Sequence, residues 1–212
     1  MRDVLMVTVR ELAAFLSGET PDIDLDRAAL HLAAIEFPGL DPEPSMTALE
    51  TMAAELRTRL AAVSGGIERV PIANTFLFEH LGFHGNQTDY YDPRNSCLNE
   101  VLERRTGIPI TLSLVYIELG RRVGLPVFGI GLPGHFIVQY DDGRSARFID
   151  PFHGGRFLTH EDCQALVRDR GLVDLPRQPS LFARSTNRQI LVRMLCNLRR
   201  VYIRQRSFRQ AA

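Results

Sequence analysis

From Pro109 to Gly124 the chain reads PITLSLVYIELGRRVG, a helix whose Leu112, Leu114, Val115, Ile117 and Leu119 leave it apolar nearly all round. A helix without a polar face must be covered on every side. This segment is therefore expected at the centre of the molecule, with the other elements arranged as its cover. Pro109 suits the first helical position, where no N–H is needed, and Gly124-Leu125-Pro126 stops the helix.

The cover on one side is helical. Amphipathic segments are expected at Val4–Leu16, from Asp24-Leu25-Asp26 to Pro38-Gly39, from Pro44-Ser45 through Thr47–Val63, and over Pro71–Leu81. The polar, aromatic stretch GFHGNQTDYYDPRNS reads as a folded surface loop. A further helix starts at Asn95 or Ser96 and runs to Arg105, which places Cys97 in its first turn.

On the other side the periodicity changes from helical to alternating. Val127–Leu132 reads as a short strand, and Pro133-Gly134 leads into HFIVQY-DDGR-SARFID. Asp-Gly is a strong hairpin signal, because a two-residue type I′ turn needs positive φ at both central positions. With Asp142-Gly143 as that turn, Asp141 pairs with Arg144, Tyr140 with Ser145, and His135 falls opposite Asp150. Directly opposed side chains share a face, about 4.5–5.5 Å apart at Cβ. That suits a carboxylate orienting an imidazole. After it come a short helix capped by Thr159, a Pro-rich linker and a last helix from Ser185, with an apolar stripe through Leu191, Met194 and Leu198. Helices, a buried helix and an antiparallel sheet together spell an α+β fold.

Composition narrows the function classes. Formal net charge is zero and pI is near neutral, so no electrostatic case exists for a nucleic-acid or anionic-membrane partner. The Arg-rich stretch from Arg193 to Arg209 reads as a solvated helix face. Cys97, Cys163 and Cys196 form no disulfide framework and no CxxC, which fits a reducing cytoplasm. Cys163 and Cys196 read as small buried hydrophobes. No segment has the ~20 apolar residues of a membrane span, and the N-terminus has no signal-peptide pattern. The spacings of His80, His84, His153 and His160 match no metal motif, and no GxGxxG or GxxxxGK[ST] is present, so neither metal nor cofactor is expected.

YYDPRNSCLNEVLERRTGIPITLSLVYIELGRRVGLPVFGIGLPGHFIVQY and FIDPFHGG, within residues 86–155, resemble the bacterial SirB-type family of the transglutaminase-like superfamily. The resemblance implies a helical portion over 1–81, a papain- or transglutaminase-like core over 82–174, a Pro-rich linker over 175–184, and over 185–212 the start of a tetratricopeptide repeat (Asn197, Leu198, Tyr202, Phe208, Ala211). One such repeat cannot bury its own face, so something is expected to dock there. By the same resemblance His135 and Asp150 occupy the superfamily's His and Asp positions. The nucleophile should open the helix that ends at Gly124, where this chain has Pro109, with Thr111 and Ser113 as weak substitutes. Cys97 lies one helix earlier. The reading is a non-catalytic or degenerate interaction module for a protein or peptide. Its alternative is a cysteine hydrolase or acyltransferase acting on amide or thioester bonds, with Cys97 as nucleophile, His135 as base, Asp150 as orienter, and the Cys97 backbone N–H or the Asn95 side chain as oxyanion donor.

Overall fold

A computed structural model describes Ser17, residues 24–168 and residues 179–207. The helix expected at Val4–Leu16, most of the Pro-rich linker, and Phe208 and Ala211 lie outside them. The described elements are α1 (Leu25–Ala33), α2 (Glu43–Leu60), α3 (Arg69–Asn74), β1 (His84–Gly85), α4 (Leu98–Arg104), β2 (Thr106–Gly107), α5 (Pro109–Val123), β3 (Val127–Ile130), β4 (Ile137–Asp141), β5 (Ala146–Asp150), β6 (Arg156–Leu158), α6 (His160–Arg168) and α7 (Asn187–Arg204). The fold is α+β. No described helix is long and apolar enough to cross a membrane.

The α5 helix is the axis of the core. Every residue from Pro109 to Gly120 is buried, Glu118 included. Its start is fixed by Thr111, whose hydroxyl accepts the Ile108 N–H at 3.1 Å and donates to the Asn95 carbonyl at 2.8 Å. Its end is fixed by Gly124 at φ +68°, a conformation glycine adopts without Cβ strain. One apolar cluster runs from Leu25 on α1 through α2, α5 and β4 to Leu198 and Tyr202 on α7. The α7 stripe of Ile190, Leu191, Met194, Leu198 and Tyr202 is buried in this core. That corrects the expectation of a face awaiting a docked partner: the chain covers the stripe itself.

Glu118 is tolerated on α5 because cations meet it. Arg122 Nη1 lies 2.5 Å and Arg121 Nη2 2.9 Å from its carboxylate, and both arginines also reach the buried Asp26 on α1. Burial raises the Glu118 carboxyl overall. Burial also opposes the charge on Asp26, but hydrogen bonds from Asp24, Arg122 and the Arg27 N–H pull that carboxyl well below the ordinary range.

The sheet has the order β3-β4-β5-β6, antiparallel throughout. Its side chains alternate between two cores. Val138, Tyr140 and Ile149 join the α5 cluster, while Ile137, Phe148 and Leu158 join a second cluster with Cys163 and Val167 of α6. The β4–β5 register departs from the two-residue turn. Tyr140 pairs with Arg147 and Asp141 with Ala146, leaving Asp142–Ser145 as a four-residue loop. Asp142 causes this, because its Oδ1 accepts the N–H groups of Arg144 at 2.9 Å and Ser145 at 2.7 Å, and Gly143 takes φ +81°.

Other boundaries also shift. The α2 helix starts at Glu43 and ends at Leu60, and the Pro71–Leu81 segment is α3 followed by a π-helical turn, Thr75–His80. The polar stretch before α4 is less a surface loop than an internal network. Strand β1 pairs in parallel with β2, and Asn86, Asp92, Asn95 and Ser96 are buried. Pro93–Ser96 is a 3-10 turn capped by Asp92, so α4 begins at Leu98 and Cys97 is its N-cap rather than a first-turn residue. The α6 helix starts as expected, with Thr159 Oγ1 accepting the Asp162 N–H at 3.1 Å. Cys196 is exposed, against expectation, because it lies on the outer face of α7.

Candidate functional site

His135 ends a tight turn. Gly134 takes φ +72°, and the His135 N–H returns to the Leu132 carbonyl at 3.1 Å. From α7, Arg193 Nη2 donates to the carbonyls of both Leu132 and His135 at 2.6 Å, clamping the turn. The ring is buried, and its Nε2 lies 2.9 Å from Asp150 Oδ2. The two residues meet as expected, but not by opposition: the register seats Asp150 beyond the Val138–Ile149 pair, so His135 reaches it diagonally from outside β4.

Asp150 is fully engaged. Its Oδ2 also meets His153 Nδ1 at 2.7 Å, and its Oδ1 accepts the Phe152 N–H at 3.1 Å. Burial works against its charge, but the bond and charge of His135, then those of His153, hold its carboxyl below the ordinary range. An ionised carboxylate only accepts, so both imidazole nitrogens facing it carry protons. In a neutral ring His135 Nδ1 then keeps the lone pair. That atom is buried and has no hydrogen-bond partner among the described residues.

His135, Asp150 and His153 present three ligand atoms within 4.8 Å of one another, and these could hold a divalent ion. The surroundings fit that use poorly. A metal-bound imidazole normally donates its other N–H to an acceptor, and His135 Nδ1 has none among the described residues. The hydrogen bonds to Asp150 account for the cluster without an ion. Sequence spacing missed His153 because its bond depends on the 3-10 turn Pro151–His153 that follows Asp150. Asp-Pro in DPFH was the only available signal.

A cavity of about 200 Å³ opens beside His135, walled by Pro109 and Ile110 at the start of α5, Tyr90, and Asn197 and Arg200 of α7. Cys97 is not among its lining residues. The Cys97 side chain is buried, with Sγ 3.6 Å from the Pro93 carbonyl. Burial, with added repulsion from Glu36, Glu100 and Asp92, pushes its thiol up to about 12, the opposite of an activated nucleophile. Asn95 is equally committed. Its Nδ2 donates to the Asp89 and Tyr90 carbonyls and its Oδ1 accepts from Asn86, which leaves no donor for an oxyanion. Thr111 serves the α5 start, and the Ser113 hydroxyl is buried without a partner among the described residues. The structure thus joins His135 to Asp150 and leaves Cys97 and Asn95 in the scaffold beneath.

A histidine in the turn that leads into an antiparallel sheet, bonded to an aspartate at the end of the next strand and set against the start of a buried helix, is the arrangement of a transglutaminase-like core. Residues 44–196 match the family described as the transglutaminase-like superfamily. The chain is 36% identical over 215 residues to a UPF0162 protein of Xylella fastidiosa (strain 9a5c), covering 100% of this chain and 76% of that protein. Identity is 29% over 181 residues to a UPF0162 protein of Pseudomonas aeruginosa, covering 84% of this chain and 64% of that one. It is 36% over 102 residues to F-box only protein 21 of Homo sapiens, covering 44% of this chain and 16% of that protein. No solved structure matches. The chain belongs to the transglutaminase-like superfamily and, at this identity and coverage, to the UPF0162 family.

Proposed function

We propose that this protein is a non-catalytic interaction module built on a transglutaminase-like frame, with a protein or peptide as its partner. One observation carries the reading. The helix start that faces His135 across the cavity bears Pro109, while the candidate thiol, Cys97, is buried outside the cavity lining with its pKa pushed up to about 12. A base without a nucleophile cannot run covalent acyl transfer. The 102-residue likeness to a small part of a much longer human protein also suits a unit that is combined with other parts.

The competing reading is a cysteine hydrolase or acyltransferase using Cys97, His135 and Asp150. The intact His135–Asp150 bond and the unpartnered Nδ1 speak for it. Site-resolved iodoacetamide labelling at pH 7.5 separates the two. The module reading expects Cys196 to label readily, Cys97 and Cys163 only on unfolding, and His135→Ala to leave the Cys97 rate unchanged. Cys97 labelling faster than Cys196, and slowed by His135→Ala, would establish the enzyme instead.

A further inference from the structure

The cavity at His135 continues over the outer face of α7 into a shallower groove of about 500 Å³, and the two share Gly134, Arg193, Asn197 and Arg200. Among the described residues, no aspartate or glutamate lines either one. The cations are Arg193, Arg200 and Arg188. The Arg188 Nε is buried without a hydrogen-bond partner among the described residues, and Arg200 makes no ion pair with a described residue. The first turn of α5 points its positive end at the same space through Pro109 and Ile110. Beside these anion-seeking groups lies an unpartnered acceptor, His135 Nδ1, in a residue 1% exposed.

From this pairing we infer that the cavity and groove bind an extended acidic peptide segment. A carboxylate side chain meets Arg200 at the open end of α5, and a peptide N–H or hydroxyl donates to His135 Nδ1. The proposal deepens the interaction-module reading and rests on it. The inner space of about 200 Å³ is below the ~300–1,000 Å³ of a cofactor-sized pocket, so it admits a side chain and its backbone. A DNA phosphodiester backbone supplies charge but no donor for Nδ1, whereas a peptide supplies both within one residue. Val192, exposed at 42%, gives the groove an apolar floor for a neighbouring side chain.

Fluorescence anisotropy of the full chain with labelled alternating Glu/Ala and Gln/Ala peptides of about eight residues, and with labelled single-stranded oligothymidine, tests this. The Glu peptide should bind about tenfold or more tighter than the Gln peptide. Arg200→Glu, an exposed change that keeps the fold, should remove most of that difference, and His135→Gln should weaken binding of the Glu peptide. Equal binding of the two peptides, no binding of either, or oligothymidine binding tighter than the Glu peptide would overturn the inference. So would a preference that survives Arg200→Glu. Cys97 labelling is read separately: a reactive Cys97 with the Glu preference intact would sink the non-catalytic reading and leave the groove standing.

Discussion

Arg193 holds the backbone carbonyl of His135 at 2.6 Å, from a helix 58 positions further along the chain. The same guanidinium nitrogen takes the Leu132 carbonyl, and the group lies 5.3 Å from the Phe136 ring centroid. The turn that aims the imidazole is therefore fastened from outside its own sheet.

Arg193→Met should destabilise the protein by about 2–3 kcal/mol, because two charge-assisted hydrogen bonds are lost and two carbonyls lose a donor. Urea denaturation measures this, with the exposed Arg144→Leu as a control that should change stability by less than about 0.5 kcal/mol. Equal effects would mean that the clamp contributes nothing.

The carboxyl of Asp150 titrates lower in the folded protein than an ordinary aspartate, against its burial and because of His135 and His153. A depressed acid stabilises the fold above its unfolded pKa, about 3.9. That contribution is lost as pH falls through the folded value. Unfolding midpoints measured downward from neutral pH should therefore fall less steeply below about pH 4 in Asp150→Asn than in the parent. The variant is also less stable at neutral pH. Parallel curves would exclude Asp150 as a source of the acid sensitivity.

Gly85 sits where a Cβ would lie 2.6 Å from both the Phe152 ring and the Phe152 carbonyl oxygen. Gly85→Ala should cost about 1–3 kcal/mol through overpacking. Phe152 meets His135 edge-on at 6.2 Å, so the imidazole NMR signals of His135 should shift as well. A thermal melt and a histidine-selective spectrum together test this, and a silent substitution would contradict the close approach.

Two of the three acids that contact Arg122 should behave very differently. Asp26 is buried, and Asp26→Ala removes the acceptor of Arg122 Nη2 while Glu118 still faces Nη1, at about 1.5–3 kcal/mol. Glu50 contacts the same guanidinium from solvent, and Glu50→Ala should cost at most about 1 kcal/mol. Chemical denaturation of the pair gives the ratio directly.

Legibility from sequence followed physical range. The α5 helix was readable because apolar coverage on all faces admits one location, and Gly124 marks its stop. The meeting of His135 with Asp150 was readable although the turn was not. The Asp142 loop moves the register by two residues, and side chains alternate with period two, so both kept the shared face. A slip of one would have separated them. Asn95 and Ser96 look like caps and suggest a helix that includes Cys97, whereas Asp92 and Pro93 open a separate turn first. The bonds of His153 and Arg193 had no local signature, since each depends on backbone brought in by tertiary folding.

The clamp on the His135 turn also sets an order of assembly. Chains emerge N-terminus first, so α5, the hairpin and Asp150 all leave the ribosome before Arg193 does. Until α7 arrives, the Leu132 and His135 carbonyls lack their donor and the apolar cluster lacks Leu191, Met194 and Leu198. Nascent chains stalled within the Pro-rich stretch would carry every residue of the His135–Asp150–His153 cluster and still lack the wall and latch that make it a site.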